Sequence, residues 1–255
     1  MQAENAIDSW RHWDAELRTR PVILGQLSGG RSNRSFLLDA DGMRMVLRLN
    51  GEDSMLPGSD RSNEITIWRA ASAEDIAPPL LHVDGQHRFL VSSYIDNKLP
   101  TKPLSNSKFI DQAFGLLNQC HQLDVGAPSI DYISHIEQYW QIAERKNQAV
   151  NPALQQHRES MQRLLKELID SNPQTGLCHH DPVVANFVGT PNKLYLIDWE
   201  YAAHGLTVMD YAALGIEWEL NDTTILAQTN IEPDSLNMAK TLYQYLCTLW
   251  EEVTI

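Results

Sequence analysis

Residues 178–186 read Cys178-His179-His180-Asp181-Pro182-Val183-Val184-Ala185-Asn186, and residues 194–200 read Leu194-Tyr195-Leu196-Ile197-Asp198-Trp199-Glu200. The first stretch sets a carboxylate and a primary amide five residues apart, and a second carboxylate follows twelve residues after that amide. Gly176-Leu177-Cys178 can be a short strand feeding an exposed loop. Asn186-Phe187-Val188 and Leu194-Tyr195-Leu196-Ile197 are strand-prone, and Gly189-Thr190-Pro191-Asn192-Lys193 between them is rich in turn formers. The pattern predicts a hairpin with Asn186 near the start of one strand and Asp198 at the end of the other. In an antiparallel pair those positions are neighbours, so both side chains could reach one cation.

Phosphoryl transfer uses such a set: one carboxylate to orient and deprotonate an attacking hydroxyl, and an Asn with an Asp to hold magnesium on nucleotide phosphates. Magnesium takes oxygen ligands and keeps several waters, so two protein ligands suffice beside phosphate oxygens. Plainer readings stand next to this one. A zinc cluster of His179, His180 and Asp181 is awkward, because consecutive residues on an extended chain point to opposite sides. Asp181 and Asn186 also fit a turn without chemistry.

The composition suits a globular enzyme. The chain has 255 residues, 43% of them hydrophobic and 21% charged, enough for two lobes with sizeable cores. The net charge of −13 argues against a nucleic-acid partner, whose phosphates need a basic surface. It suits a cationic small substrate, and it equally suits simple solubility. The three cysteines, Cys120, Cys178 and Cys247, read as reduced, mostly buried thiols. No apolar run has the length of a membrane span, and the first residues show no secretory pattern, so a cytoplasmic location is the expectation.

Along the chain, Ile7, Trp10, Trp13 and Leu17 predict a leading amphipathic helix over 5–18. Val22–Leu24, Ser35–Leu38, Met45–Leu49, Leu80–Val83 and Arg88–Ser93 predict antiparallel strands, with a helix over Arg61–Ser72 between them. The polar, proline-containing segment 96–107 reads as a connection. Beyond it, helical stripes recur, such as Ile110-Ala113-Phe114-Leu117 and Leu242-Leu246-Leu249. The loop Leu27-Ser28-Gly29-Gly30-Arg31-Ser32-Asn33-Arg34-Ser35-Phe36 lets successive amides approach an anion, though an ordinary hairpin turn fits as well. Arg48 sits in Leu47-Arg48-Leu49, and Glu64 follows on the expected helix.

The spacing H-x-D-x-x-x-x-N followed by I-D-W-E resembles the catalytic segment of the kinase-like small-molecule phosphotransferases, which include aminoglycoside phosphotransferases and choline, ethanolamine and thiamine kinases. The run Ile197-Asp198-Trp199-Glu200-Tyr201-Ala202 is most similar to the choline, ethanolamine and thiamine branch. The resemblance implies an α+β, protein-kinase-like fold. Its small antiparallel nucleotide-binding lobe would span 1–95, and a mainly helical lobe carrying the catalytic hairpin would span 96–255. It implies ATP and magnesium as cofactors and a small cationic alcohol as acceptor; with no long apolar run, no membrane partner is expected. By the same resemblance Asp181 is the catalytic base, and Asn186 and Asp198 hold the metal. Ser28, Gly29, Gly30, Arg48 and Glu64 serve the nucleotide phosphates, while Ser93 and Ile95 offer main-chain groups to adenine. Glu200, Tyr201, Glu217 and Trp218 are candidates for the substrate, a cation being drawn to carboxylates and ring faces. His179 and Asp210 support the loop, and His180 stands where the family often has Gly or Asn. An antibiotic-modifying enzyme and a catalytically weak nucleotide-binding regulator remain alternatives.

Overall fold

The structure, a computed structural model, describes residues 2–27, 33–51, 57, 60–99, 106–146, 150–171, 173–190 and 192–254. The chain divides into two units, Met1–Thr101 with Ala185–Glu200, and Lys102–Val184 with Tyr201–Ile255. The first contains α1 (Ala3–Ile7), β1 (Val22–Gln26), β2 (Asn33–Ala40), β3 (Met43–Asn50), α2 (Arg61–Ala73), β4 (Leu80–Val83) and β5 (Phe89–Ser93). The second holds α3 (Ser107–His121), α4 (Tyr132–Arg145), α5 (Pro152–Asp170) and β6 (Thr175–Cys178). Next in the chain come β7 (Phe187–Thr190) and β8 (Lys193–Leu196) of the first unit. Then β9 (Ala203–Leu206), α6 (Thr207–Glu217), α7 (Asp222–Gln228) and α8 (Pro233–Thr254) complete the second.

In the first unit five antiparallel strands lie in the order β1-β2-β3-β5-β4. The turn between β2 and β3 pairs Ala40 with Met43. Its central residues Asp41 and Gly42 have φ 54 and 80, the double left-handed state that a two-residue hairpin of natural twist requires. Along β3 the side chains alternate. Met45, Leu47 and Leu49 enter an apolar cluster with Ile7, Trp10 and Trp13, so Val46, Arg48 and Asn50 belong to the opposite face. There Arg48 meets Glu64 and Trp68 of α2. Asp60 caps α2 by accepting the Asn63 amide at 3.0 Å.

The leading segment is not one helix over 5–18. α1 stops at Ile7, and a separate 3-10 turn covers Trp10–His12. The Ser9 hydroxyl donates to Ala6 O at 2.7 Å, competing with a continued helix. Three residues per turn then align Trp10 with Trp13, and both are buried in the sheet cluster.

The β7–β8 hairpin pairs Phe187 with Leu196 and Thr190 with Lys193. It was expected within the second lobe, but it groups with the first unit. Local bonds explain this: the Leu196 amide donates to Ile76 O at 2.8 Å and the Lys98 amide to Gly189 O at 2.8 Å. Lys193 also pairs with Asp75 at 2.6 Å. Gly189 has φ 135, and a Cβ there would collide with the Lys193 carbonyl, so the turn requires glycine.

In the second unit β6 pairs antiparallel with β9, Cys178 facing Ala203 and Thr175 facing Leu206. α8 packs against α4, α5 and α6. Among the described residues no helix is long and apolar enough to cross a membrane.

Candidate active site

In the first unit the residues of interest gather at one end of the β7–β8 hairpin. Asn186 closes a 3-10 turn, Val184–Asn186, and its carbonyl accepts the Ile197 amide at 3.0 Å. That bond extends the ladder by one step and sets Asp198 one residue beyond direct opposition to Asn186. Asp198 has φ 68, a left-handed state that Asp tolerates better than most L-residues. It is the sort of local strain that concentrates at functional positions.

Arg48 reaches Asp198 Oδ1 with Nη1 at 3.4 Å, and its Nη2 lies 2.7 Å from Glu64 Oε1. The shorter contact is ionic rather than an aligned hydrogen bond, since neither atom has an aligned partner among the described residues. Burial works against the Arg48 charge, but Glu64 and Asp198 outweigh it and raise its pKa. Glu64 is fully buried and also takes Arg61 Nη1 at 2.8 Å. Arg61 in turn lies 3.3 Å from Glu200 Oε2 and donates to Asn33 Oδ1 at 3.0 Å.

Two guanidinium groups therefore face three carboxylates, Glu64, Asp198 and Glu200. Burial first, and then the Asp198 charge, push Glu200 up to about 7 in spite of Arg61. The surplus negative charge is relieved near neutrality by a proton. A divalent cation beside Asp198 would relieve it too, and the oxygen donors of Asn186 and Asp198 are the kind magnesium takes. The donor set fits that ion.

Arg61 and Asn33 were not singled out by sequence reasoning. The spacing Arg61-x-x-Glu64 on a helix was the available signal for the first. For Asn33 it was the position closing the glycine-rich loop. Glu200, expected at the substrate, instead joins Arg61 and Asn33, its side chain only 10% exposed. Ser28, Gly29 and Gly30 lie outside the described residues. The Ser93 amide, expected to face adenine, donates to Pro79 O at 2.9 Å, because β5 is flanked by β4. Ile95 follows that strand in an irregular, half-buried segment.

In the second unit the loop after β6 carries Asp181, half-buried. Asp210, in the first turn of α6, is fully buried and accepts three hydrogen bonds. They come from the His179 amide at 2.8 Å, the His180 amide at 2.7 Å and His121 Nε2 at 2.9 Å. Burial pushes its pKa up, but the His121 bond and the surrounding histidines win and hold it down at about 2. His121, Cys178 and Asp210 have ligand atoms within 4.8 Å of one another. Burial pushes the Cys178 thiol well above its usual range, and Asp210 is already committed, so this group reads as loop support rather than as a metal centre.

Glu217 ends α6 and is exposed, and Tyr243 Oη donates to it at 3.1 Å. Burial raises the Tyr243 pKa, with Cys247, Glu217 and Asp181 adding to the shift, so Asp181 and Glu217 act on one tyrosine. Tyr201 is half-buried and its carbonyl faces His180 Nδ1 at 3.1 Å. Trp218 does not present a face to substrate. It is fully buried, stacked on Phe109 with centroids 4.9 Å apart, and its indole N–H donates to Pro182 O at 3.2 Å. The turn ending α6 directs it into the core while its neighbours Glu217 and Glu219 stay exposed.

Comparison with known proteins fits this geometry. A thiamine kinase from Shigella boydii serotype 4 is 28% identical over 196 residues, which is 74% of this chain and 65% of that protein. The chain thus matches just under two thirds of that relative's length. A choline/ethanolamine kinase family protein from Mesorhizobium loti superposes with a TM-score of 0.75 at 21% identity, covering 98% of this chain and 85% of that one. The choline kinase LicA from Streptococcus pneumoniae gives 0.75 at 22%, covering 90% and 86%. At such identities the likeness establishes a kinase-like fold. The model of the phosphotransferase enzyme family (APH) matches residues 23–239, most of the sequence, and the chain belongs to that family.

Proposed function

We propose that this chain is a cytoplasmic kinase that transfers the γ-phosphoryl group of ATP to the hydroxyl of a small cationic alcohol of the choline, ethanolamine or thiamine kind. The observation that carries this reading is the end of the β7–β8 hairpin, where Asn186 and Asp198 occupy neighbouring positions and Arg48 reaches Asp198 at 3.4 Å. Asn186 and Asp198 would hold magnesium, which would supply charge neutralisation to the nucleotide phosphates. Arg48 grips phosphate oxygens, and its guanidinium is kept charged and oriented by Glu64. Ser28, Gly29 and Gly30 lend amides to the phosphates, and the segment after β5 at Ile95 meets the base. Asp181 orients the acceptor hydroxyl and takes its proton. The three bonds to Asp210 hold that loop still, which is where positioning contributes most in this chemistry. Glu217 offers a carboxylate and Tyr201 a ring to a cationic acceptor.

The test is ADP release with Mg-ATP over a panel of choline, ethanolamine, thiamine and an aminoglycoside, repeated with Asp181→Ala and Asp198→Ala. At least one cationic metabolite should raise turnover above the ATP-only rate, and both substitutions should lower it at least a hundredfold. If only the aminoglycoside does so, the antibiotic-modifying reading replaces this one. If no acceptor stimulates turnover while ATP still binds, the chain is a nucleotide-binding regulator.

A further inference from the structure

The residue just before Asp181 has an unusual setting. His180 has φ 64, a left-handed backbone uncommon for residues other than glycine, though His, Asn and Asp enter it more readily than most. Its backbone amide donates to Asp210 Oδ1 at 2.7 Å. Both ring nitrogens are engaged as well. Nε2 lies 2.8 Å from Tyr132 Oη on α4, and Nδ1 lies 3.1 Å from the Tyr201 carbonyl. The Tyr132 hydroxyl also accepts the Leu206 amide of β9 at 3.0 Å.

These partners leave one arrangement of protons. A carbonyl can only accept, so His180 Nδ1 carries the proton and donates to Tyr201. Nε2 is then the acceptor, and the single hydroxyl hydrogen of Tyr132 goes to it. A directed chain results: Leu206 N–H to Tyr132 Oη, Tyr132 O–H to His180 Nε2, and His180 Nδ1–H to Tyr201 O. Space for it is made at Gly205 of β9, where a Cβ would collide with Tyr132 Oη and lie 2.8 Å from His180 Nε2. The Tyr132 end is fixed from outside, because the Ile130 amide donates to His204 O at 2.8 Å and the His204 amide to Pro128 O at 2.9 Å.

We propose that His180 is a positioning residue for phosphoryl transfer: clamped between the Tyr132 hydroxyl and the Tyr201 carbonyl, its ring holds the left-handed turn that delivers the Asp181 carboxylate. The inference rests on the reading of Asp181 as the base. A ring that only filled space would need neither a fixed tautomer nor a strained backbone one residue before that carboxylate.

The directed chain holds only with neutral His180, because a protonated Nε2 cannot accept from Tyr132 and would instead donate to its oxygen, turning the hydroxyl hydrogen away. Burial, the largest influence, moves the ring below the usual histidine range. Of the groups that face it, Asp210 on α6 favours the imidazolium, while His179 in the loop and His121 on α3 oppose it. His135 on α4 is itself lowered to about 4, by burial first and then by His180. Cys178 on β6 stays a neutral thiol.

The experiment uses the full chain with Mg-ATP and the best acceptor from the panel. Tyr132→Phe keeps the ring and removes only the hydroxyl, and His180→Ala removes the clamp from the loop side. Folding is checked by circular dichroism, and Tyr132→Phe serves if His180→Ala fails to fold. Tyr132→Phe should lower kcat by roughly ten- to a hundredfold with KM for ATP within about twofold, as small misplacements of a catalytic group do. It should also move the acidic limb of the kcat profile to higher pH, because neutral Nε2 has lost its donor. Values of kcat within about twofold of wild type and an unmoved acidic limb overturn the proposal, as does a loss expressed mainly in KM for ATP. Asp181→Ala separates the two ideas. If it retains activity, the reading of the base fails, whereas an inactive Asp181→Ala beside a normal Tyr132→Phe sinks the clamp alone.

Discussion

Glu64 holds two buried guanidinium groups at once, so Glu64→Gln should be among the most costly conservative substitutions in the first unit. Its carboxylate is fully buried, with Arg48 at 2.7 Å and Arg61 at 2.8 Å. Hydrogen bonds and contacts to charged groups contribute about 1.5–3 kcal/mol each, so two of them amount to roughly 3–6 kcal/mol. Glutamine keeps one neutral acceptor, worth about 1 kcal/mol, but turns an amide NH2 toward the second cation. The net loss is then about 2–5 kcal/mol, overlapping the range of about 3–5 kcal/mol for breaking a buried ion pair. Asp198 and Glu200 remain beside the two arginines, which places the expectation near 3 kcal/mol. With a urea m-value of about 3 kcal/mol/M, the unfolding midpoint should fall by about 1 M. A double-mutant cycle with Arg61→Met should return a coupling of about 1–2 kcal/mol. A midpoint lowered by less than about 0.3 M, or a coupling indistinguishable from zero, would refute the reasoning, because Glu64 would then not be balancing the arginines.

Two further outcomes follow from the same geometry. Glu200 has a folded pKa of about 7 against an ordinary 4.5, so between those values the folded state binds more protons than the unfolded one. Its contribution to stability therefore falls as pH rises through that window, by at most ~3 kcal/mol. Urea midpoints from pH 4.5 to 8 should show that decline in the wild type and not in Glu200→Gln, and parallel profiles would contradict it. Trp218→Phe should lower Tm, with a loss of about 1–3 kcal/mol for the vacated volume and the lost bond to Pro182, while leaving KM for the alcohol within about twofold. A tenfold rise in KM without loss of stability would return Trp218 to the substrate.

The features legible in the sequence were those set by near neighbours. The β7–β8 hairpin was written in two apolar runs around a glycine-bearing turn, so Asn186 and Asp198 could be paired before any fold was known. The Arg48 face was readable from alternation along β3, because Met45, Leu47 and Leu49 claim the other side. Roles set by distant partners were not legible. Trp218 between two glutamates looks like a surface aromatic until Phe109 packs on it. Ser93 looks like a free hinge amide until Pro79 takes it. Arg61 stands at a helix start, where exposure is the default, and its burial depends on Glu200 and Asn33.

By itself, then, the order of residues determined the family, the α+β class and the carboxylate–amide–carboxylate spacing, since turns, strand periods and short motifs are local properties. Which charges are balanced, which protons are held and which backbone turn precedes Asp181 were decided only by tertiary structure. Burial and hydrogen-bond partners come from segments far apart in the chain, and these set the Glu200 pKa and the His180 tautomer.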